Sequence, residues 1–179
     1  MANGKRKGNK NERELTKWFT DWTGLEFQRV PQSGGLRWNN RDNIVGDIIC
    51  TDEKKGRRFP FTIETKFHKD INFQHLLIDV KGNKIIEFWN QSKSDGEATG
   101  KIPLLFMRIN GMPKQTWFTV MSFELYIEFF DKYRKNHHKH LTLISEEYKL
   151  VIMLSTHLIE FPIEKIIKKI KLAGWKRKK

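Results

Sequence analysis

Two short stretches decide the fold: residues 44–50 read Ile-Val-Gly-Asp-Ile-Ile-Cys, and residues 58–67 read Arg-Phe-Pro-Phe-Thr-Ile-Glu-Thr-Lys-Phe. Both are rich in β-branched and aromatic residues, which predicts two β-strands. The polar stretch at residues 52–56 is typical of a turn, so we expect an antiparallel hairpin. Side chains alternate along a strand, so Glu64 and Lys66 share one face of the second strand, opposite its apolar residues.

Charged residues interrupt both of these apolar strands. Asp47 stands between isoleucine and valine residues, where burying a carboxylate costs several kcal/mol unless it is paired or bound to a metal. In the hairpin, Asp47 can lie beside Glu64. A surface charge network on a half-exposed sheet is the alternative explanation. The apolar neighbours of Asp47 leave no polar face for it to belong to, which favours a gathered site of two acids and one lysine.

The residue types in this group suit phosphodiester hydrolysis. Paired carboxylates bind hard divalent ions, and magnesium prefers a few protein oxygens together with several waters. The backbone carbonyl of Thr65, between Glu64 and Lys66, is a possible further ligand. Such a metal lowers the pKa of a bound water, and a neighbouring lysine can orient that water or stabilise the developing charge. We therefore expect Mg²⁺ as the cofactor, with Mn²⁺ as a possible substitute.

The two strands also resemble a known nuclease signature. Gly46-Asp47 followed by Ile63-Glu64-Thr65-Lys66 resembles the acid…acid-x-lysine motif of the restriction-endonuclease-like, or PD-(D/E)xK, superfamily. Residues 7–15, Lys-Gly-Asn-Lys-Asn-Glu-Arg-Glu-Leu, resemble the opening of archaeal-type and phage-borne Holliday junction resolvases. Residues 29–35, Arg-Val-Pro-Gln-Ser-Gly-Gly, are similar to the strand and serine-glycine loop that precede the catalytic Asp in that family. The resemblance covers about residues 5–120.

The resemblance implies a set of site residues. Glu12, Asp47 and Glu64 are expected as catalytic metal ligands together with Thr65, and Lys66 as the catalytic lysine. Helix geometry alone lets either Glu12 or Glu14 reach a site at the helix edge, and the resemblance selects Glu12. The residues expected near DNA are Arg6, Lys7, Arg29, Ser33, Arg37, Arg41 and Gln91. For Gln91, a solvent-facing position is an equal alternative.

Composition points to the same class of partner. The chain of 179 residues has 34 Lys and Arg against 21 Asp and Glu, for a net charge of +13. Such a charge favours a polyanion such as nucleic acid, because neutralised phosphates release counterions. A solvated lysine-rich surface is the alternative. The single cysteine, the lack of a secretory signal and the lack of a run of roughly 20 apolar residues predict a cytoplasmic protein. The resemblance to phage-borne relatives implies a phage-encoded protein that acts in the host cytoplasm.

The order of the predicted elements is α-β-β-β-α-β-β-α-β-α, an α/β restriction-endonuclease-like mixed central β-sheet flanked by helices in a single domain. Residues 1–10 are expected to be a mobile basic arm, residues 11–120 the nuclease core, and residues 121–179 a C-terminal extension packed on the core with a basic tail. The first predicted helix follows the basic arm and stops at Gly24, and the other predicted helices are residues 83–94, 122–133 and 162–172. The remaining predicted strands are residues 25–30, 103–109, 115–120 and 149–155.

Together these patterns predict a structure-selective DNA endonuclease, and the resemblance implies a Holliday junction resolvase acting on branched DNA. Two symmetric cuts suit a homodimer, with the apolar helix at residues 122–133 as one candidate interface. The alternatives are another PD-(D/E)xK nuclease, of restriction, nicking or exonuclease type, and a non-catalytic DNA-binding protein. His137, His138 and His140 suggest a metal site, but their lysine-rich surroundings favour a surface loop.

Overall fold

The computed structural model describes residues 2–30, 45–53, 56, 59–78, 82–133 and 138–173. The predicted loop at residues 31–43, with Ser33, Arg37 and Arg41, lies outside the described residues. So do His137 and the basic tail at residues 174–179. No helix in the described ranges is both long enough and apolar enough to cross a membrane.

A mixed β-sheet forms the centre of the molecule. Within the described residues its seven strands are arranged in the order β1-β2-β3-β4-β5-β7-β6. Their bounds are β1 Phe27–Arg29, β2 Ile48–Cys50, β3 Phe61–Phe67, β4 Ile102–Arg108, β5 Phe118–Ser122, β6 His140–Ile144 and β7 Lys149–Leu154. Strands β3 and β4 are parallel, and all other neighbours are antiparallel. The predicted mixed sheet and the β2–β3 hairpin are confirmed.

Helices cover the sheet. They are α1 Ala2–Thr23, α2 Lys84–Thr99, α3 Phe123–Leu125, α4 Ser155–Leu158 and α5 Ile163–Leu172. A 3₁₀ turn spans Phe73–Leu76, and α3 continues through a π turn, Tyr126–Phe130, into a 3₁₀ turn, Asp131–Tyr133. Helix α1 starts at Ala2, whereas the sequence predicts a mobile arm for residues 1–10. Lysine and arginine are good helix formers, so a helix anchored by its apolar C-terminal half can extend back through this segment.

Capping side chains set two of the helix ends. Asn83 accepts a hydrogen bond from the backbone N–H of Ile85, and Gly100 ends α2 with a φ of 74°. Ser122 accepts a hydrogen bond from the backbone N–H of Leu125 at 3.2 Å and so caps the start of α3. The first two caps define where α2 begins and ends, and Ile85 and Trp89 of α2 pack against Leu105 and Met107 of β4.

Apolar side chains pack on both faces of the sheet. On one face α1, α5 and the α3 segment cover residues such as Leu104 and Phe106. On the other face α2 covers Leu105 and Met107. Side chains along β4 point alternately to the two faces of the sheet, so this strand contributes to both apolar cores. Each fully buried large side chain stabilises the folded state by about 2 kcal/mol. The boundary placed at residue 120 falls inside β5, so the C-terminal extension shares the sheet of the nuclease core.

The structure also bears on two expectations for the C-terminal part of the chain. Most apolar side chains of the candidate interface at residues 122–133 lie in the chain's own core, namely Leu125, Tyr126, Phe129 and Phe130, whereas Ile127 is exposed. The sequence pattern showed that an apolar face of this segment is covered, but it did not show whether the chain's own core or a second chain covers it. The prediction of a surface loop is wrong for His138, which is buried and lies two residues before β6, a strand that the sequence did not indicate.

Candidate active site

Backbone hydrogen bonds fix Asp47 on both sides. Its N–H donates to the carbonyl of Ile63 at 2.9 Å, and its carbonyl accepts from the N–H of Val30 at 2.9 Å. Its Oδ2 accepts from the backbone N–H of Thr65 at 2.8 Å. The carboxylate therefore points at the middle of β3, next to Glu64, as the hairpin prediction required.

Glycine is needed immediately before Asp47. Gly46 has a φ of +96°, which L side chains rarely adopt. An added Cβ would lie 2.8 Å from the carbonyl oxygen of Ile63 and 3.1 Å from Cγ2 of Thr62. This close approach to β3 is what allows the chain to present the Asp47 carboxylate to the neighbouring strand.

Glu64 and Lys66 lie side by side on the same face of β3. The Nζ of Lys66 is 2.7 Å from Oε1 of Glu64, and Nε2 of Gln91 donates to that same oxygen at 3.1 Å. The ammonium of Lys66 also lies 5.7 Å from the centre of the Phe88 ring. Gln91 and Phe88 belong to α2, so this helix holds the acid and the lysine in place.

Helix α1 brings Glu12 to the opposite side of the group. Glu12 is only 6% exposed, and its Oε2 accepts from Nε of Arg29 at 2.6 Å. Nη2 of Arg29 also donates to Oδ1 of Asn9 at 3.0 Å. Glu14, the alternative acid, instead pairs with Arg108. The structure thus brings Glu12 close enough for its charge to raise the pKa of Asp47.

Asn11 ties α1 directly to β3, and no sequence pattern singled it out. Its Nδ2 donates to Oγ1 of Thr65 at 2.8 Å, and its Oδ1 accepts from Nε1 of Trp117 at 2.7 Å. All three residues are buried. This bridge fixes the backbone at Thr65, whose carbonyl is the predicted further metal ligand.

The carboxylates strongly affect each other. Burial, then the charge of Asp47, raises the pKa of Glu64 from 4.5 to about 7, against the attraction of Lys66. Burial likewise raises the pKa of Asp47, and the charges of Glu12 and Asp95 add to the effect, although the Thr65 N–H and Lys66 oppose it. Crowded, buried acids of this kind ionise together only when a cation compensates them, which fits a divalent metal site made of oxygen donors.

Asp95 is a member of this group that the sequence analysis missed. Burial raises its pKa, and Lys66 opposes that rise. Its charge in turn raises the pKa of Asp47 and Glu64. Asp95 follows Gln91 by four positions on α2, so both share one helix face. That spacing was visible in the sequence, but nothing indicated which face of α2 meets β3.

The residues expected near DNA fall into three groups. Arg6 and Lys7 are exposed on the first part of α1, with Nζ of Lys7 3.4 Å from Oδ1 of Asn110. Gln91 reaches Glu64. The guanidinium of Arg29 is engaged by Glu12 and Asn9, so its contacts orient a site residue. Ser33, Arg37 and Arg41 lie outside the described part of the chain.

Comparisons with known proteins agree with this geometry. The chain is 27% identical over 107 residues to Protein D14 of Escherichia phage T5, and the match covers 60% of this chain and 65% of that protein's length. No solved structure matches the chain. The family described as "Phage putative PDDEXK endonuclease" matches residues 3–168, which include every site residue discussed above. Nucleases of the PD-(D/E)xK type generally use divalent metal ions. The chain belongs to this phage PDDEXK endonuclease family.

Proposed function

We propose that this nuclease is a magnesium-dependent, structure-selective DNA endonuclease that resolves four-way DNA junctions. The observation that carries the proposal is the position of Glu12, which pairs with Arg29 and lies near enough to Asp47 for its charge to raise the pKa of that carboxyl. A glutamate from the first helix that joins the two acids of the hairpin is the feature that the resemblance to junction resolvases implies. The coarser activity, that of a PD-(D/E)xK nuclease, follows from the family.

The site residues divide into metal-holding and charge-positioning groups. Asp47, Glu64, Glu12 and the carbonyl of Thr65 would hold the magnesium ion. When bound, such an ion acidifies a water and neutralises charge that builds up on the phosphate. Lys66 supplies a further positive charge, and its pairing with Glu64 at 2.7 Å keeps its ammonium at the site.

Charge outside the site supports a DNA substrate. The net charge of +13 favours a polyanion, and Arg6 and Lys7 are exposed on the same helix that carries Glu12. We expect them to contact the DNA backbone, together with Ser33, Arg37 and Arg41. DNA binding should therefore weaken steeply as the salt concentration rises. In a plot of the logarithm of the binding constant against the logarithm of the salt concentration, each neutralised phosphate adds about one to the negative slope.

A resolvase that cuts two strands symmetrically needs two active sites in fixed relation. A two-fold homodimer meets this need most simply, so we propose one. Most apolar side chains at residues 122–133 pack inside the chain, so this segment offers such a dimer little apolar surface beyond the exposed Ile127.

The test is cleavage of a labelled four-way junction beside linear duplex, single strand and a flap of matching sequence. Each substrate is incubated with magnesium, manganese or EDTA, using the wild type, Asp47→Asn and the distant control Asp21→Asn. Symmetric nicks in the junction alone, metal-dependent and lost only in Asp47→Asn, are expected. Equal cutting of linear DNA would support a nuclease but refute its assignment as a junction resolvase. Tight DNA binding without any cutting would indicate a non-catalytic DNA-binding protein.

A further inference from the structure

A second group of metal-ligating side chains lies in the C-terminal part of the molecule. His138 precedes β6, His157 lies on α4, and Glu160 lies two residues after the end of that helix. One ligand atom from each residue lies within 4.8 Å of those of the other two. In a tetrahedral zinc site with bonds of about 2.0–2.1 Å the ligand atoms are about 3.4 Å apart, so a small rotation of the side chains closes the set.

The surroundings of His138 are unusual for a histidine without such a role. Its side chain is 3% exposed, and its Nε2 lies 3.8 Å from Oε2 of Glu160, which is longer than a hydrogen bond. The centre of its ring lies 5.2 Å from that of His157 and 5.2 Å from that of Phe161. A buried imidazole thus faces a second imidazole and a carboxylate at a spacing that a cation would close.

We propose that His138, His157 and Glu160 bind a transition-metal ion of the zinc class. Two imidazole nitrogens and one carboxylate oxygen are a donor set that zinc accepts, whereas magnesium prefers oxygen donors alone. Glu160 is exposed, so the set opens to solvent on one side and leaves a position for water. The all-oxygen site around Asp47 and this nitrogen-rich site therefore select different metals.

The ion would act as a cross-link within the fold. It joins the start of β6 to α4, and β6 is the last strand of the sheet, paired only through β7 among the described strands. Because the ion binds the folded arrangement rather than the unfolded chain, zinc should raise the stability of the protein. The stabilisation inferred for the ion is independent of the proposed DNA cleavage.

The test uses the full-length protein in an Asp47→Asn background, stripped with EDTA and then titrated with Zn²⁺ under excess Mg²⁺. Asp47→Asn and magnesium together limit zinc binding at the nuclease site. We expect one zinc per chain in competition with a chromophoric chelator, and a rise in melting temperature. Cobalt in place of zinc should give the visible absorption bands of a four-coordinate ion.

Matched variants separate this site from surface binding. His157→Ala and Glu160→Gln should each weaken zinc affinity at least tenfold, whereas His75→Ala and Glu164→Gln should leave it unchanged. Far-UV circular dichroism verifies that each variant is folded. If His157→Ala does not fold, the test rests on Glu160→Gln, which alters an exposed side chain. Zinc binding that is absent, or that persists undiminished in Glu160→Gln, would overturn the proposal.

Discussion

The metal-free protein should lose stability as the pH rises from 5 to 8, because Glu64 is buried beside other carboxylates. Its pKa is about 7 in the folded protein against 4.5 for the ordinary group. Between these pH values the folded state keeps a proton on Glu64 that the unfolded chain has released. The contribution of this group to the free energy of unfolding is therefore highest below pH 4.5, falls through the interval, and stays low above pH 7.

The size of this effect follows from the same two values. Each tenfold change in an acid dissociation constant corresponds to about 1.4 kcal/mol, so ionised Glu64 costs the metal-free fold about 3 kcal/mol at pH 8. The raised pKa of Asp47 adds to the loss in the same direction. A domain of this size has about 5–15 kcal/mol in total, so the loss is measurable. Bound magnesium should restore much of it.

Urea unfolding at pH 5 to 8 in EDTA measures the effect for the wild type and Glu64→Gln. The amide oxygen of the glutamine can still accept a hydrogen bond from Lys66, so the variant removes mainly the ionisation. It should show a flatter pH dependence and be the more stable protein at pH 8. Glu26→Gln, at an exposed site, should follow the wild type. Identical pH dependence in the wild type and Glu64→Gln would refute the reasoning.

Three other substitutions test separate parts of the site. Gly46→Ala should cost at least about 2 kcal/mol of stability and abolish cleavage, because its Cβ would lie 2.8 Å from the Ile63 carbonyl. Arg29→Met should cost about 3 kcal/mol by chemical denaturation, since it leaves the buried Glu12 carboxylate without its guanidinium. Asp95→Asn should lower the pKa of Glu64, as read from carboxyl carbon shifts, and raise the magnesium concentration needed for half-maximal cleavage.

Each of these predictions has a matched control. Gly24 also has a positive φ, but a Cβ added there would meet no atom within 4 Å, so Gly24→Ala should keep full activity. Lys17→Met breaks an exposed pair with Asp21 and should cost less than about 1 kcal/mol. Glu97→Gln alters an exposed acid on the helix of Asp95 and should leave the magnesium requirement unchanged. Equal effects within any pair would show that the contact in question is not the cause.

The sequence was most informative about the part of the fold that alternates most regularly. The faces of β3 followed from side-chain alternation, and the polar turn implied the hairpin that sets Asp47 against Thr65. Strand β6 was missed because it is a short edge strand with exposed residues such as Leu141 and Ile144, which lack the pattern of a half-buried strand.

Parts of the site depend on tertiary packing that no local pattern specifies. Asp95 and Asn11 reach the site because of how α2 and α1 pack on the sheet. Sequence periodicity identifies the buried face of a helix but not the element against which that face packs. For the same reason the apolar helix at residues 122–133 was one candidate interface, although the core covers most of its apolar side chains. His138 and His157 are distant in the sequence, so only the fold brings them together.

The central claim is that Glu64 and Lys66, with Asp47, form a metal-dependent centre that cleaves DNA. The most direct measurement is single-turnover cleavage of the four-way junction by Lys66→Met and by its control Lys69→Met, an exposed lysine three positions along the chain. We expect the cleavage rate of Lys66→Met to fall at least about 10²-fold while the variant still binds DNA. Lys69→Met should cut at the wild-type rate, and both it and the wild type should cut only when magnesium is present. Undiminished cutting by Lys66→Met, or equal cutting by the wild type in EDTA, would contradict this account.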